Sequence, residues 1–180
     1  MSGEIPLVPM VLREIQATES VGAQIMILAE VGGARRFPIF IGFHEMDALD
    51  RAIHGKITPR PLTHDLILNV IESVGGELQR VVIDDLKDET FYGKLGIRLA
   101  DGSEVFVDSR PSDAIAIAVR AKVPIYVDES VLDRAGVLLN AAGEPIETAE
   151  GRTGGVTPEE RARLAAFSDF IAELDLDDFE

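Results

Sequence analysis

The sequence predicts an α+β fold. Antiparallel or mixed sheets form two sheet-then-helix halves, packed with two or three helices, plus a C-terminal helix. Three observations carry this expectation. Short apolar runs parted by glycine turns occur in two sets, over residues 8–41 and 81–108. Each set is followed by a segment whose apolar residues recur at three- and four-residue spacing, the signature of a helix face. The strands therefore come in runs, and sheet-then-helix occurs twice, as in an α+β fold.

Along the chain, residues 8–17 and 24–31 flank Ser20-Val21-Gly22, and Gly32-Gly33 precedes residues 36–41, so the three runs read as an antiparallel meander. Residues 42–54 read as a helix with Met46, Leu49 and Ile53 on one face. Thr58-Pro59-Arg60-Pro61 is a stiff connector, because each proline pushes its predecessor out of the helical region. Residues 63–74 give the clearest helix, with Leu66, Ile67, Val70, Ile71 and Val74 as its stripe. Thr63 suits the N-cap, Leu62 and Ile67 have the spacing of a hydrophobic staple, and Gly75-Gly76 ends the run. Residues 81–86, 90–99 and 104–108 read as strands, the last two joined at Asp101-Gly102. Residues 111–122 form an alanine-rich apolar helix, 125–127 a short strand, and 130–135 a turn of helix.

Residues 140–156, rich in Gly, Ala, Thr and Glu, read as a linker. Thr157-Pro158-Glu159-Glu160 then starts a helix, with a cap, a proline at the first position and a capping-box glutamate. Leu164, Phe167, Ile171 and Leu174 give it an apolar face. The expected organisation is a domain over 1–139, a linker over 140–156 and an acidic amphipathic tail over 157–180.

At 46% hydrophobic residues, the 180-residue chain can bury a core of ordinary size. No apolar run approaches the ~20 residues of a membrane span, and the first ten residues lack the basic start of a secretory signal. The absence of cysteine excludes disulfides, thiolate metal sites and a thiol nucleophile, and fits a reducing compartment. A cytoplasmic, membrane-free protein is expected. The net charge is -15. Residues 146–180 hold ten acids and three bases, or -7, which leaves -8 for the rest. An acidic body opposes long-range attraction to nucleic acid but suits divalent cations that bridge to phosphate.

Two segments concentrate polar groups at helix starts: Thr58-Pro59-Arg60-Pro61-Leu62-Thr63-His64-Asp65 and Asp108-Ser109-Arg110-Pro111-Ser112-Asp113. Helix N-termini favour anions such as phosphate. Arg60 and Arg110 can grip phosphate bidentately, with Ser109 and Ser112 beside them. Asp65, Asp108 and Asp113 can hold a divalent cation, Mg or Mn, and His64 can act as a general base or ligand. Glu45 borders the apolar stripe of its helix and calls for a partner. Helix capping accounts equally for Thr63, Asp65, Ser109, Ser112 and Asp113, at about 1 kcal/mol each. The arginines lack that explanation, because a cation at a helix N-terminus opposes the dipole.

These blocks resemble the bifunctional nuclease family. Phe37-Pro38-Ile39-Phe40-Ile41-Gly42 with Glu45, Pro59-Arg60-Pro61 with Thr63-His64-Asp65-Leu66, Thr90-Phe91-Tyr92, and residues 108–116 are similar to its motifs, in family order over about residues 8–138. His44 departs from the pattern, where a less basic residue is expected. The tail, with Phe167, Phe170 and Asp177-Asp178-Phe179, resembles extensions of some members. The resemblance implies a compact α+β fold, a homo-oligomer, and nuclease activity on DNA and RNA. Carried over residue by residue, it marks Glu45, Arg60, His64, Asp65, Asp108, Arg110 and Asp113 as candidates.

Two functions follow as expectations. In the first, the chain is a metal-assisted nuclease: carboxylates hold one or two divalent ions, the arginines neutralise the scissile phosphate, and His64 moves the proton. In the second it is a non-catalytic regulatory or ligand- or protein-binding module whose Arg/Asp motifs are structural. An open convergence of these groups favours the first, and a closed, internally paired network the second.

Overall fold

The computed structural model describes residues 6–17, 24–56, 58–88 and 90–138. The expected turn at Ser20-Val21-Gly22, the linker over 140–156 and the tail helix over 157–180 lie outside the described residues.

The elements run β1 (Leu7–Ala17), β2 (Gln24–Glu30), β3 (Arg35–Ile41), α1 (Phe43–Ile53), α2 (Thr63–Ser73), β4 (Glu77–Lys87), β5 (Thr90–Arg98), β6 (Glu104–Ser109), α3 (Pro111–Ala121), β7 (Ile125–Asp128), α4 (Glu129–Ala135) and β8 (Val137–Leu138). The two expected halves share one mixed sheet of order β6-β5-β4-β7-β1-β2-β3-β8. Its strands pair antiparallel except β4 with β7, which run parallel and join the halves. The sheet is strongly coiled. Phe37 on β3 and Phe91 on β5 meet edge to face, with ring centroids 5.1 Å apart, although β4, β7, β1 and β2 lie between their strands.

One core fills this coil. Phe37, Met26 and Leu28 from the first half join Val81, Ile83 and Leu95 from the second. The alanine-rich helix α3 is buried from Ala114 to Ala118, because its small side chains let the backbone lie close to β4 and β5. Gly93 is part of that approach: an added Cβ would meet the backbone of Pro111 and Ser109 at 3.3 Å.

Three local expectations change. The cap of α2 is Leu62 and its first residue Thr63; Leu62 has no acceptor, so Asp65 works from inside the helix, accepting from the Leu62 N–H at 2.9 Å. On α2 only Ile71 is buried, with Ile67 and Leu68 partly so, while Leu66, Val70 and Val74 are exposed. This helix packs on α3 and β4 at the rim of the molecule, so only one edge of its apolar stripe is covered. Ile53 likewise stays exposed at the end of α1, where Leu49 takes the buried position. No described helix is long and apolar enough to cross a membrane.

Arg120 ties the three helices together. From the last turn of α3 its Nε donates to Asp65 on α2, one Nη to the carbonyl of Ala116 in α3, and the other to the carbonyl of Ala48 in α1, each at 2.9 Å. Its side chain is only 9% exposed. Arg120→Met keeps the length and removes all three bonds, and is expected to lower the unfolding free energy by about 2–4 kcal/mol. Arg51→Met removes an exposed i,i+4 pair with Asp47 and is expected to leave stability nearly unchanged. Urea denaturation of both variants checks the contrast.

Candidate functional site

The starts of α1, α2 and α3 converge. No side chain caps any of them by a hydrogen bond, and their caps are Gly42, Leu62 and Arg110. Each helix carries an acid three residues after its cap: Glu45, Asp65 and Asp113. An acid there complements the positive end of the helix dipole.

Two of these acids share one guanidinium. Arg110 donates from Nε to Asp113 at 2.8 Å and from Nη1 to Glu45 at 2.9 Å. His64, in the first turn of α2, places Nε2 3.1 Å from the other oxygen of Asp113. The two polar segments of the sequence therefore meet through His64 and Asp113, and Glu45 joins them from α1. The pairing has a clear direction of exposure. His64 is 13% exposed at its side chain, Glu45 22% and Asp113 27%, whereas Arg110 is 66% exposed. Arg110 thus stands at the mouth with the acids and the imidazole behind it. Its guanidinium is held above its ordinary pKa by Asp113 first and Glu45 second.

Gly42 makes room for this arrangement. A Cβ at that position would lie 2.5 Å from a carboxylate oxygen of Glu45. The backbone there is ordinary, with φ of -80°, so the requirement is for space rather than for a special conformation.

The other expected site residues stand apart. Asp65 is committed to the Leu62 amide and to Arg120. Asp108 is exposed on β6, in register with Lys94, and has no ion-pair partner among the described residues. Ser109 Oγ is buried without a partner among the described residues, and Ser112 is largely buried in the first turn of α3. Arg60 is exposed, and its guanidinium has no hydrogen-bond partner among the described residues. Asp65, Asp108 and Asp113 are therefore not gathered as a metal set. Among the described residues no group of three or more His, Asp or Glu is arranged to hold an ion. The physical reason lies in the partners: Arg120 takes Asp65, and Arg110 takes both Glu45 and Asp113.

Arg120 and Gly42 are the residues that sequence reasoning missed. The signal for Arg120 was a charged residue in a helix otherwise nearly all apolar, which demands partners. Gly42 offered none beyond its place before a helix.

Comparison with known proteins fits the blocks quoted above. A family profile described as the bifunctional nuclease domain matches residues 26–140. A Mycobacterium tuberculosis protein described as uncharacterized is 40% identical over 156 residues, 87% of this chain and 88% of that protein. Bifunctional nuclease 2 of Oryza sativa subsp. japonica is 32% identical over 115 residues, 63% of this chain and 35% of the plant protein. Bifunctional nuclease 2 of Arabidopsis thaliana is 31% identical over 107 residues, 58% of this chain and 32% of that protein.

Acid stability reads out the cluster. Burial raises the Asp113 carboxyl, but the hydrogen bonds from Arg110 and His64 and their charge outweigh it, so it ionises below the ordinary carboxylate value. A carboxyl depressed by folding stabilises the protein above its unfolded pKa and loses that contribution as pH falls through its folded value. The wild type is therefore expected to exceed Asp113→Asn in stability by a constant margin above about pH 4. The margin should close on further acidification. Urea melts of both proteins between pH 7 and pH 3 measure it, and a gap that widens toward acid contradicts the assignment.

Proposed function

The chain belongs to the bifunctional nuclease domain family, and we propose that it is a phosphodiesterase acting on RNA at the cluster of Glu45, His64, Arg110 and Asp113. The observation that carries the reading is the His64–Asp113 pair set behind an exposed arginine at three converging helix starts. Asp113 holds the Nε2 side of the imidazole, so Nδ1 is the nitrogen that takes a proton. Arg110 presents N–H groups to the non-bridging oxygens of a phosphodiester, and the helix N-termini add to the positive potential.

RNA supplies its own nucleophile. His64 removes the proton of the 2′-hydroxyl, the 2′ oxygen attacks the adjacent phosphorus, and the bond to the 5′ oxygen breaks. A 2′,3′-cyclic phosphate forms, and the leaving 5′ oxygen takes a proton from solvent. The intramolecular attack replaces the positioning of a water molecule. Arg110 offsets the charge that builds on the phosphoryl oxygens. The described donors do not fit the expected carboxylate-held cation, and no step here runs through one.

One observation favours the non-catalytic reading: Glu45, His64 and Asp113 are each already paired. Labelled RNA, and the same strand with 2′-deoxy nucleotides, separate the two in the presence of EDTA. Cleavage of RNA is expected to persist, and the deoxy strand to resist. His64→Gln should lower the rate on the order of 10²–10⁴-fold, the range for loss of a positioned base. Arg110→Lys should also slow it, because lysine lacks the fork. Loss of cleavage with EDTA would sink this mechanism in favour of a metal. A folded protein that cleaves nothing, with variants that only melt earlier, would establish the structural module.

A further inference from the structure

We propose that the acidic C-terminal segment of this chain, residues 157–180, docks on a groove at the far ends of α1 and α3, beside α2. The groove has a volume of about 400 Å³ and is lined by Arg51, Lys56, Arg120 and Lys122 against two carboxylates, Asp65 and Glu72. Arg51 and Lys56 are paired with Asp47 and Asp50, and Arg120 with Asp65, which leaves Lys122 and Glu72 as the unpaired charges of the lining among the described residues. A second hollow of about 390 Å³ continues from it, sharing Val119 and Lys122. That hollow is apolar, and its rim residues Val11 and Ile53 are each 48% exposed. The composite surface is therefore polar along one half, with Lys122 as its unpaired cation among the described residues, and apolar along the other.

Lys122 stands where the two halves join. It has no ion pair or side-chain hydrogen bond among the described residues. Its φ of 57° is the left-handed cap position where glycine is the usual choice. Arg51, Lys56 and Arg120 are each paired with one acid, so Lys122 is the cation with charge to spare.

The tail complements both halves. Residues 157–180 hold eight acids and two bases, and after Phe167 there are six acids and no base. Phe167, Phe170, Ile171, Leu174, Leu176 and Phe179 are interleaved with them. A nucleic-acid strand would meet Lys122 alone and leave Val11 and Ile53 bare. An acidic amphipathic segment covers both.

The chain also leaves the body at the right place. Val137 on β8 pairs with Arg36, Arg36 with Ala29, and Ala29 with Val11 on the groove rim. Three strand spacings separate the exit from the rim, roughly 14 Å. Residues 139–156 make an 18-residue tether, whose unstrained span as a coil is about 21–25 Å. The tail is thus held within reach at high effective concentration.

Disulfide trapping in the full chain tests this, since the sequence has no cysteine. Asn69→Cys lines the groove and Ser168→Cys lies in the tail; Thr90→Cys with Ser168→Cys is the control, on an exposed strand end away from the groove. The groove pair is expected to form an intramolecular disulfide on the order of tenfold faster than the control, the gain of docking over a free tether. Lys122→Glu and added salt should each slow it. Equal rates for the two pairs overturn the proposal, as does a groove rate indifferent to Lys122→Glu. A disulfide found only between two chains overturns it too, and assigns the groove to the tail of a second copy.

Discussion

The guanidinium of Arg120 donates to the Asp65 carboxylate and to the carbonyls of Ala48 and Ala116, and so fixes α1 and α2 against α3. The three helices are short, and α2 has little else to hold it: most of its apolar stripe faces outward. Short helices gain most of their stability from packing rather than from propensity. A polar tie near one end of α3 therefore sets how α1 and α2 meet its other end. At that end Glu45, Arg110, Asp113 and His64 form a chain of hydrogen bonds. Asp65 belongs to the same mechanical system, holding the Leu62 amide with one oxygen and Arg120 with the other. A family motif residue thus serves the site by positioning its neighbour, His64.

On the proposed reading, the cluster is also what lets an acidic protein address an anion. Net charge acts at long range and is screened within about 8–10 Å at ordinary salt. At contact range the relevant charges are those of Arg110 and of three helix starts. The acids behind Arg110 hold its position by accepting from all three of its nitrogens. Their arrangement is economical: the same carboxylate that settles the dipole of α3 also orients His64 and the arginine before it.

Much of this was legible in the chain. The helix starts, the glycine turns and the two sheet-then-helix sets reflect local rules, and local rules survive folding. The Arg110–Asp113 contact could be anticipated because three residues separate the pair. The rest depends on separations that periodicity does not encode. Asp65 and Arg120 are 55 positions apart, and Arg120 reaches Ala48 across 72. The choice of buried face on α2 depends on how few elements surround it, so a stripe read correctly as apolar is covered along one edge only. The expected metal carboxylates stand apart for a related reason: sequence lists Asp65 but not that Arg120, 55 positions away, pairs with it.

Gly42 carries a lesson for reading function from mutational scans. It has no group to offer a substrate, and its backbone is unremarkable in conformation. Yet any side chain there would displace the Glu45 carboxylate and loosen one of the two anchors of Arg110. A scan scored only by activity would rank this position with the reacting residues. What it would have found is an empty volume, held open so that a neighbouring carboxylate can keep its place.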